Sequence, residues 1–287
     1  MIYLIVSVLI SSLLFVIFKL FEVYKVNTMQ AIVVNYIAAA TTGFLVYDGN
    51  ISIAEIPQTS WFWGTVFLGL LFISVFNLMA LTSQQNGLSV ASVAGKMSVV
   101  IPIIFGIWAY KESVHFLKIT GIVLALFAVY LTAIKKKSIQ KNKNSLLFPF
   151  LLFIGSGVID TAIKYFETKY LPEGGIPIFS ATIFAFAAII GISILTIKGI
   201  RGKLQINLKN VVAGICLGIP NYYSIYFLLK ALNTEGLESS TLFTINNVGI
   251  VMLTTLCGLL LFKEKLIPKN WYGIVLAIVS IIIISFA

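Results

Sequence analysis

Apolar stretches of roughly 20 residues recur along this chain, parted only by short segments rich in charge, Gly, Pro or Asn. A hydrocarbon core about 30 Å thick is crossed by about 20 helical residues. Within it, a backbone must satisfy its own polar groups, so an open chain of such runs folds as helices. Ten candidate spans follow, at approximately 2–20, 28–47, 61–82, 87–109, 116–134, 145–166, 175–197, 209–230, 238–262 and 270–286. Composition agrees: 59% of residues are hydrophobic, 10% are charged, and the mean hydropathy is +1.03. That little charge does not cover the surface of a soluble enzyme of 287 residues. The expected fold class is all-α, a polytopic membrane protein with ten transmembrane helices.

The net charge of +10 does not indicate nucleic acid, because most basic residues fall between the apolar runs. Their natural counterpart is the anionic lipid of the cytoplasmic leaflet. The sharpest internal break is the polar, basic segment 135–144. It reads as a linker between a first unit of five helices at 1–134 and a second at 145–287. On alternating sides, 14 of the 20 Lys and Arg collect with this linker, among them Lys19, Lys25, Arg201, Lys209 and Lys265. That side is expected to be cytoplasmic, with both termini facing outward, in a cell (inner) membrane. The run from Ile2 has neither a basic segment before it nor a small-residue cleavage site behind it, so a retained helix is expected.

The two units share short matches in the same order. Gly121-Ile122-Val123-Leu124-Ala125 recurs as Gly273-Ile274-Val275-Leu276-Ala277, and Lys111-Glu112 recurs as Lys263-Glu264. Lys19-Leu20-Phe21-Glu22 is likewise echoed by Lys164-Tyr165-Phe166-Glu167. Five helices is an odd number, so the second copy enters the membrane from the opposite face. The expectation is an inverted 5+5 repeat, an architecture used by transporters whose halves rock about a site near the midplane.

With these features the sequence resembles the EamA-type members of the drug/metabolite transporter superfamily. The resemblance rests on Ala80, Gly87, Ser89, Ala91, Pro102, Glu112 and Gly121 in the first unit. In the second it rests on Ala231, Gly236, Ser239, Glu264 and Gly273. Pro102 has no proline counterpart in the ninth run. The resemblance implies ten helices, an inverted repeat and carrier-mediated movement of small metabolites, with no one substrate fixed.

Charge at membrane depth is costly, and each instance needs an account. Lys96 lies nine residues into the fourth run, about 13 Å from its start at 1.5 Å per residue. Its side chain is too short to reach the interface. Ser89, Ser92 and Lys96 share one helical face, a polar stripe on which an ammonium would hold an anionic substrate group. The competing reading is a buried lysine paired with Asp160 or with backbone carbonyls. Asp160 is the one acidic residue well inside a run, which makes it the candidate for proton coupling. Lys164, four residues on, offers a plain intrahelical ion pair instead. Asn35, Asn77, Asn221, Tyr222, Asn246 and Asn247 are the remaining candidates for substrate contact. Hydrogen bonding between helices accounts for each asparagine equally well.

Other features read as structural. Gly214 and Gly218, with Gly121/Ala125 and Gly273/Ala277, give spacings that allow helices to pack closely or to form a homodimer; a monomer suits them equally. Cys216 and Cys257 lie within apolar runs and His115 stands alone, so no metal or cofactor is expected. No nucleophile constellation or phosphate loop appears, so the protein is not expected to be an enzyme. The leading expectation is a secondary-active transporter of small polar or anionic metabolites, with the bilayer, protons or a counter-substrate as partners and no nucleic acid. A lipid-carrier flippase or channel-like pore is the alternative within transport; a non-transporting receptor or scaffold is the alternative outside it.

Overall fold

The computed structural model describes residues 2–49, 51–110, 116–133, 146–171, 175–202, 206–232 and 239–286. Among them there is no strand. The helices are α1 (Ile2–Val23), α2 (Thr28–Val46), α3 (Phe62–Gln85), α4 (Leu88–Met97), α5 (Val100–Tyr110) and α6 (Phe116–Ala133). They continue with α7 (Leu147–Tyr170), α8 (Ile176–Ile200), α9 (Leu208–Leu232), α10 (Ser239–Leu260) and α11 (Pro268–Ser285). A short 3-10 helix at Ile53–Gln58, opened by reciprocal Ser52 and Glu55 hydrogen bonds, was not expected from the sequence. The basic linker 135–144, Lys111, Glu112, His115 and Gly236 lie outside the described residues, as do the side chains of Lys118, Lys164, Glu167 and Ser239.

Six helical stretches are long and apolar enough to cross a bilayer: Ile2–Val23, Thr28–Val46, Phe62–Gln85, Leu88–Gly106, Ile176–Ile200 and Leu208–Leu228. Shorter apolar helices cover Ile119–Thr132, Leu147–Ile163, Ile245–Leu260 and Pro268–Ile284. Large apolar side chains turn outward, with Trp63, Trp108, Phe116, Leu208 and Phe286 all more than three-quarters exposed. A surface of that kind suits lipid rather than water. The chain is a helical membrane protein.

The fourth expected helix, 87–109, is two helices. Pro102 has no amide proton to return to the Ser98 carbonyl. The amide of Ile101 takes that carbonyl instead, at 2.9 Å, and the chain makes a turn at Ser98 and Val99. The proline thus sets a break near the middle of the span, four residues before itself.

Hydrogen bonds gather one set of helix ends. The Gln84 amide, at the end of α3, donates to the Phe18 carbonyl of α1 at 3.1 Å and to the Thr28 hydroxyl of α2 at 3.2 Å. Asn270, at the start of α11, donates to the Thr132 carbonyl at the end of α6 at 2.8 Å. Asn210 of α9 accepts from the Asn27 amide at 3.0 Å, and the Lys209 ammonium donates to the Tyr24 carbonyl at 2.9 Å. The start of α4 joins the turn between α10 and α11 through Leu88 and Glu264. Lys19, Lys25, Lys209 and Lys265 stand at this basic end, lining its two clefts. At the far end, Lys230 of α9 stacks over Tyr3 of α1, and Trp61 before α3 meets Phe179 of α8 edge-on.

The core is aromatic at its centre. Phe18, Tyr36, Phe72, Phe76 and Phe184 pack as neighbouring rings, and the Tyr36 hydroxyl donates to the Phe72 carbonyl at 2.7 Å. Around it, α1 packs on α3, α9 and α10; α2 on α8 and α9; α3 on α7 and α8; α4 on α6, α7 and α10; and α6 on α11. Small residues set the closest approaches. A Cβ added to Gly218 would stand 2.5 Å from the Asn35 carbonyl of α2, and one added to Gly273 would stand 2.8 Å from the Thr132 backbone of α6.

Alanine in a helix interior is worth about 1 kcal/mol over glycine when space is open. At Gly218 the contact is backbone, so an overpacking cost of about 1–3 kcal/mol should outweigh that gain. Gly95, whose added Cβ would meet only the Phe15 ring at 3.9 Å, is the open control. Melting temperatures in detergent should fall for Gly218→Ala and hold or rise for Gly95→Ala; equal shifts would refute the close packing of α2 on α9.

Candidate functional site

The break between α4 and α5 brings opposite charges together. Lys96 sits in the last turn of α4, half-buried, and faces Asp160 of α7 closely enough for the two to interact electrostatically. They make no direct ion pair, and the Lys96 ammonium has no hydrogen-bond partner among the described residues. The Asp160 side chain is exposed although it lies in the interior half of α7. The Ser98 hydroxyl donates to the Gly95 carbonyl at 2.6 Å and stands 3.4 Å from an Asp160 carboxylate oxygen. Glycines hold α7 near: a Cβ on Gly157 would run into Ile101 of α5, and one on Gly155 would lie 2.6 Å from Val75 of α3. A cation and a carboxylate thus face each other across a turn without closing an ion pair.

The intrahelical pairing of Asp160 with Lys164 falls on a side chain outside the described residues. What faces Asp160 here is Lys96 and Ser98, from a different element. Ser92 is fully buried and donates to its own helix at the Ser89 carbonyl, 3.1 Å away. The Asn221 amide donates to Asn35 at 3.2 Å, joining α9 to α2, and Asn35 in turn donates to the Ile32 carbonyl at 3.4 Å. Asn77 donates to the Ile73 carbonyl at 2.8 Å within α3.

Asn246 accepts from the Ser7 hydroxyl at 3.2 Å, and Ser7 also stands 3.3 Å from the Ser224 carbonyl. That contact ties α1, α9 and α10 together; Asn247 beside it is half-buried. Tyr222 is buried in a run of rings with Tyr223 and Tyr226, the latter under Lys230 at 4.8 Å. None of these amides bonds to Lys96 among the described residues. The candidates therefore divide into a charged site at the break and a set of interhelical bridges.

Three contributors were not anticipated. Ser98 and Ser7 carry no sequence signal beyond being hydroxyls in apolar runs. Glu264 stood out in the sequence only as part of a repeated Lys-Glu pair; its carboxylate reaches across to the Leu88 amide at the start of α4, 2.7 Å away. Burial pushes its carboxyl above the usual carboxylate range, offset by that amide and by Lys19. A cleft of about 330 Å³ lined by Lys19, Asn86, Gly87, Glu264, Lys265 and Asn270 opens beside it.

No protein-family model matches the chain. A protein of Haemophilus influenzae described as uncharacterized is 28% identical over 290 residues, covering 97% of this chain and 95% of that one. A crystal structure described only as that of a protein is similar with a TM-score of 0.56 at 12% identity, covering 98% of this chain and 97% of the other. That likeness concerns the fold over nearly the full length.

Facing charges in an apolar body should be energetically coupled. In a double-mutant cycle of Lys96→Met and Asp160→Asn, thermal unfolding in detergent should show the double variant less destabilised than the sum of the singles, by at least about 0.5 kcal/mol. Strict additivity would mean that the two groups do not sense each other.

Proposed function

We propose that the protein is a secondary-active transporter of small polar or anionic metabolites, working by alternating access between two inverted five-helix halves. The single observation that carries this reading is the Lys96–Asp160 pair, held at the break of a spanning helix without closing into an ion pair. Broken helices with polar groups at the break are how transporters build a site within the bilayer. Lys96 is the group that would hold an anionic substrate, and Asp160 is the candidate for moving a proton.

The helix arrangement supports the ten-span inverted repeat. If α7, α8, α9, α10 and α11 are exchanged for α1, α2, α3, α4 with α5, and α6, most of the larger pairings map onto one another. The α1–α9 contact becomes α7–α3, α2–α9 becomes α8–α3, α1–α10 becomes α7–α4, and α4–α6 becomes α10–α11. The α2–α8, α4–α10 and α6–α11 contacts map onto themselves. Direction supports the inversion: α3 ends at the basic end while its counterpart α9 begins there, and α6 ends where α11 begins. In this reading the four shorter apolar helices, together with the six long ones, complete ten spans, and the basic end with the linker faces the cytoplasm. The resemblance to EamA-type carriers belongs to the same proposal.

Purified protein in liposomes, screened against metabolite pools, should give saturable uptake that is accelerated by substrate on the opposite side. Lys96→Ala should lower that counterflow at least about a hundredfold while the protein remains monodisperse. Linear, non-saturating flux would instead mean a pore, and no flux for any pool would favour a receptor or scaffold.

A further inference from the structure

We propose that Glu264 is a gating residue: its carboxylate, seated on the first turn of α4, latches the basic end of the carrier shut. The proposal rests on the carrier reading above and adds to it a named closure, distinct from the charged site at the break.

The seat is built for this carboxylate. The amide of Leu88, one of the orphan donors of the α4 N-terminus, donates to it at 2.7 Å, a charge-assisted bond favoured by the helix dipole. Two glycines clear the space. A Cβ on Gly87 would stand 2.9 Å from the carboxylate, and one on Gly258 would stand 2.6 Å from it. Gly87 also has φ of +107°, a conformation other residues rarely take. On its own side, the chain leaves α10 through Lys263 at φ +51°, and the Glu264 amide returns to the Gly258 carbonyl at 2.9 Å. A strained turn therefore aims the side chain at a helix 176 residues earlier in the chain. Lys19 of α1, bound to the Gln84 carbonyl, stands within electrostatic reach and adds α1 and α3 to the closure.

The second observation lies beneath the latch. Ser12 of α1, Ser83 of α3 and Thr255 of α10 are all at least 96% buried. None of their hydroxyls has a hydrogen-bond partner. Leaving a buried hydroxyl unpaired costs on the order of 1–3 kcal/mol, and a helical serine or threonine usually avoids it by bonding back to its own helix. Thr254, next to one of them, does so at 2.7 Å. Three unpaired hydroxyls on α1, α3 and α10, with α1 packed against both of the others, mark polar surface that this closed arrangement leaves unsatisfied. The packing agrees with closure at this end: α1 meets α3 and α4, whereas their counterparts α7 and α9, and α7 and α10, have no more than marginal contact among the described residues. Releasing Glu264 frees the start of α4 to move away and lets water reach the hydroxyls.

The test is accessibility, read independently of transport. In a background of Cys216→Ser and Cys257→Ser, single reporters Ser83→Cys and Ser12→Cys are placed in lipid nanodiscs and treated with a charged maleimide. With Glu264 present, labelling should be slow at both. With Glu264→Ala it should be on the order of tenfold faster, and Glu264→Asp should fall between. If Glu264→Ala disturbs elution on size exclusion, the isosteric Glu264→Gln provides the same comparison. Labelling that is unchanged in both variants would overturn the latch, even if the parent protein performs saturable counterflow. Faster labelling in a protein that moves no solute would uphold the latch and count against the carrier reading alone.

Discussion

Around most of this molecule no water is at hand to satisfy a polar group, and that constraint orders the whole structure. Helices answer it for the backbone. Side chains answer it by reaching across to other helices, as Asn221 does to Asn35, Ser7 to Asn246 and Tyr36 to the Phe72 carbonyl. Where a helix end leaves donors or acceptors over, a partner arrives from elsewhere in the chain: Glu264 for α4 and Asn270 for the end of α6. The groups that do not comply then become informative. Lys96 and Asp160 face each other at the α4–α5 break without closing an ion pair, and three buried hydroxyls on α1, α3 and α10 have no partner among the described residues.

These exceptions occupy two levels of one assembly. The charged pair lies where Pro102 has broken a span, so backbone and side-chain polarity coincide at the same depth. Glu264, Ser83 and Thr255 lie between that level and the basic end. On the carrier proposal these would be a site and a closure, the minimum that alternating access requires, and the close approaches at Gly87, Gly157, Gly218 and Gly258 hold the helices concerned together.

Much of the fold was legible because a bilayer imposes length. Apolar runs of about 20 residues announced the helices, and their observed bounds differ mainly at the ends. The break at Ser98 was half-legible: a proline stood within the fourth run, but whether a span kinks or parts depends on neighbours that the sequence does not order. Asp160 shows the limit of local reasoning. A lysine four residues away is the pattern a helix offers, whereas Lys96 and Ser98 face the carboxylate from an element some 60 residues earlier. Glu264 was visible as part of a repeated Lys-Glu pair, yet its role depends on Gly258 and Lys263 turning it toward α4. Long-range placement of this kind follows from tertiary packing, which periodicity does not encode.

Reciprocal motion of the two ends is the central claim, and paired spin-label distances test it most directly. One pair, Val23→Cys with Gln85→Cys, reports α1 against α3 at the basic end; the other, Lys169→Cys with Lys230→Cys, reports α7 against α9 at the far end. The account predicts two distance populations for each pair, with the longer one growing at one end as the shorter one grows at the other when Glu264 is replaced by alanine. A single, unmoved distance at both ends would contradict it.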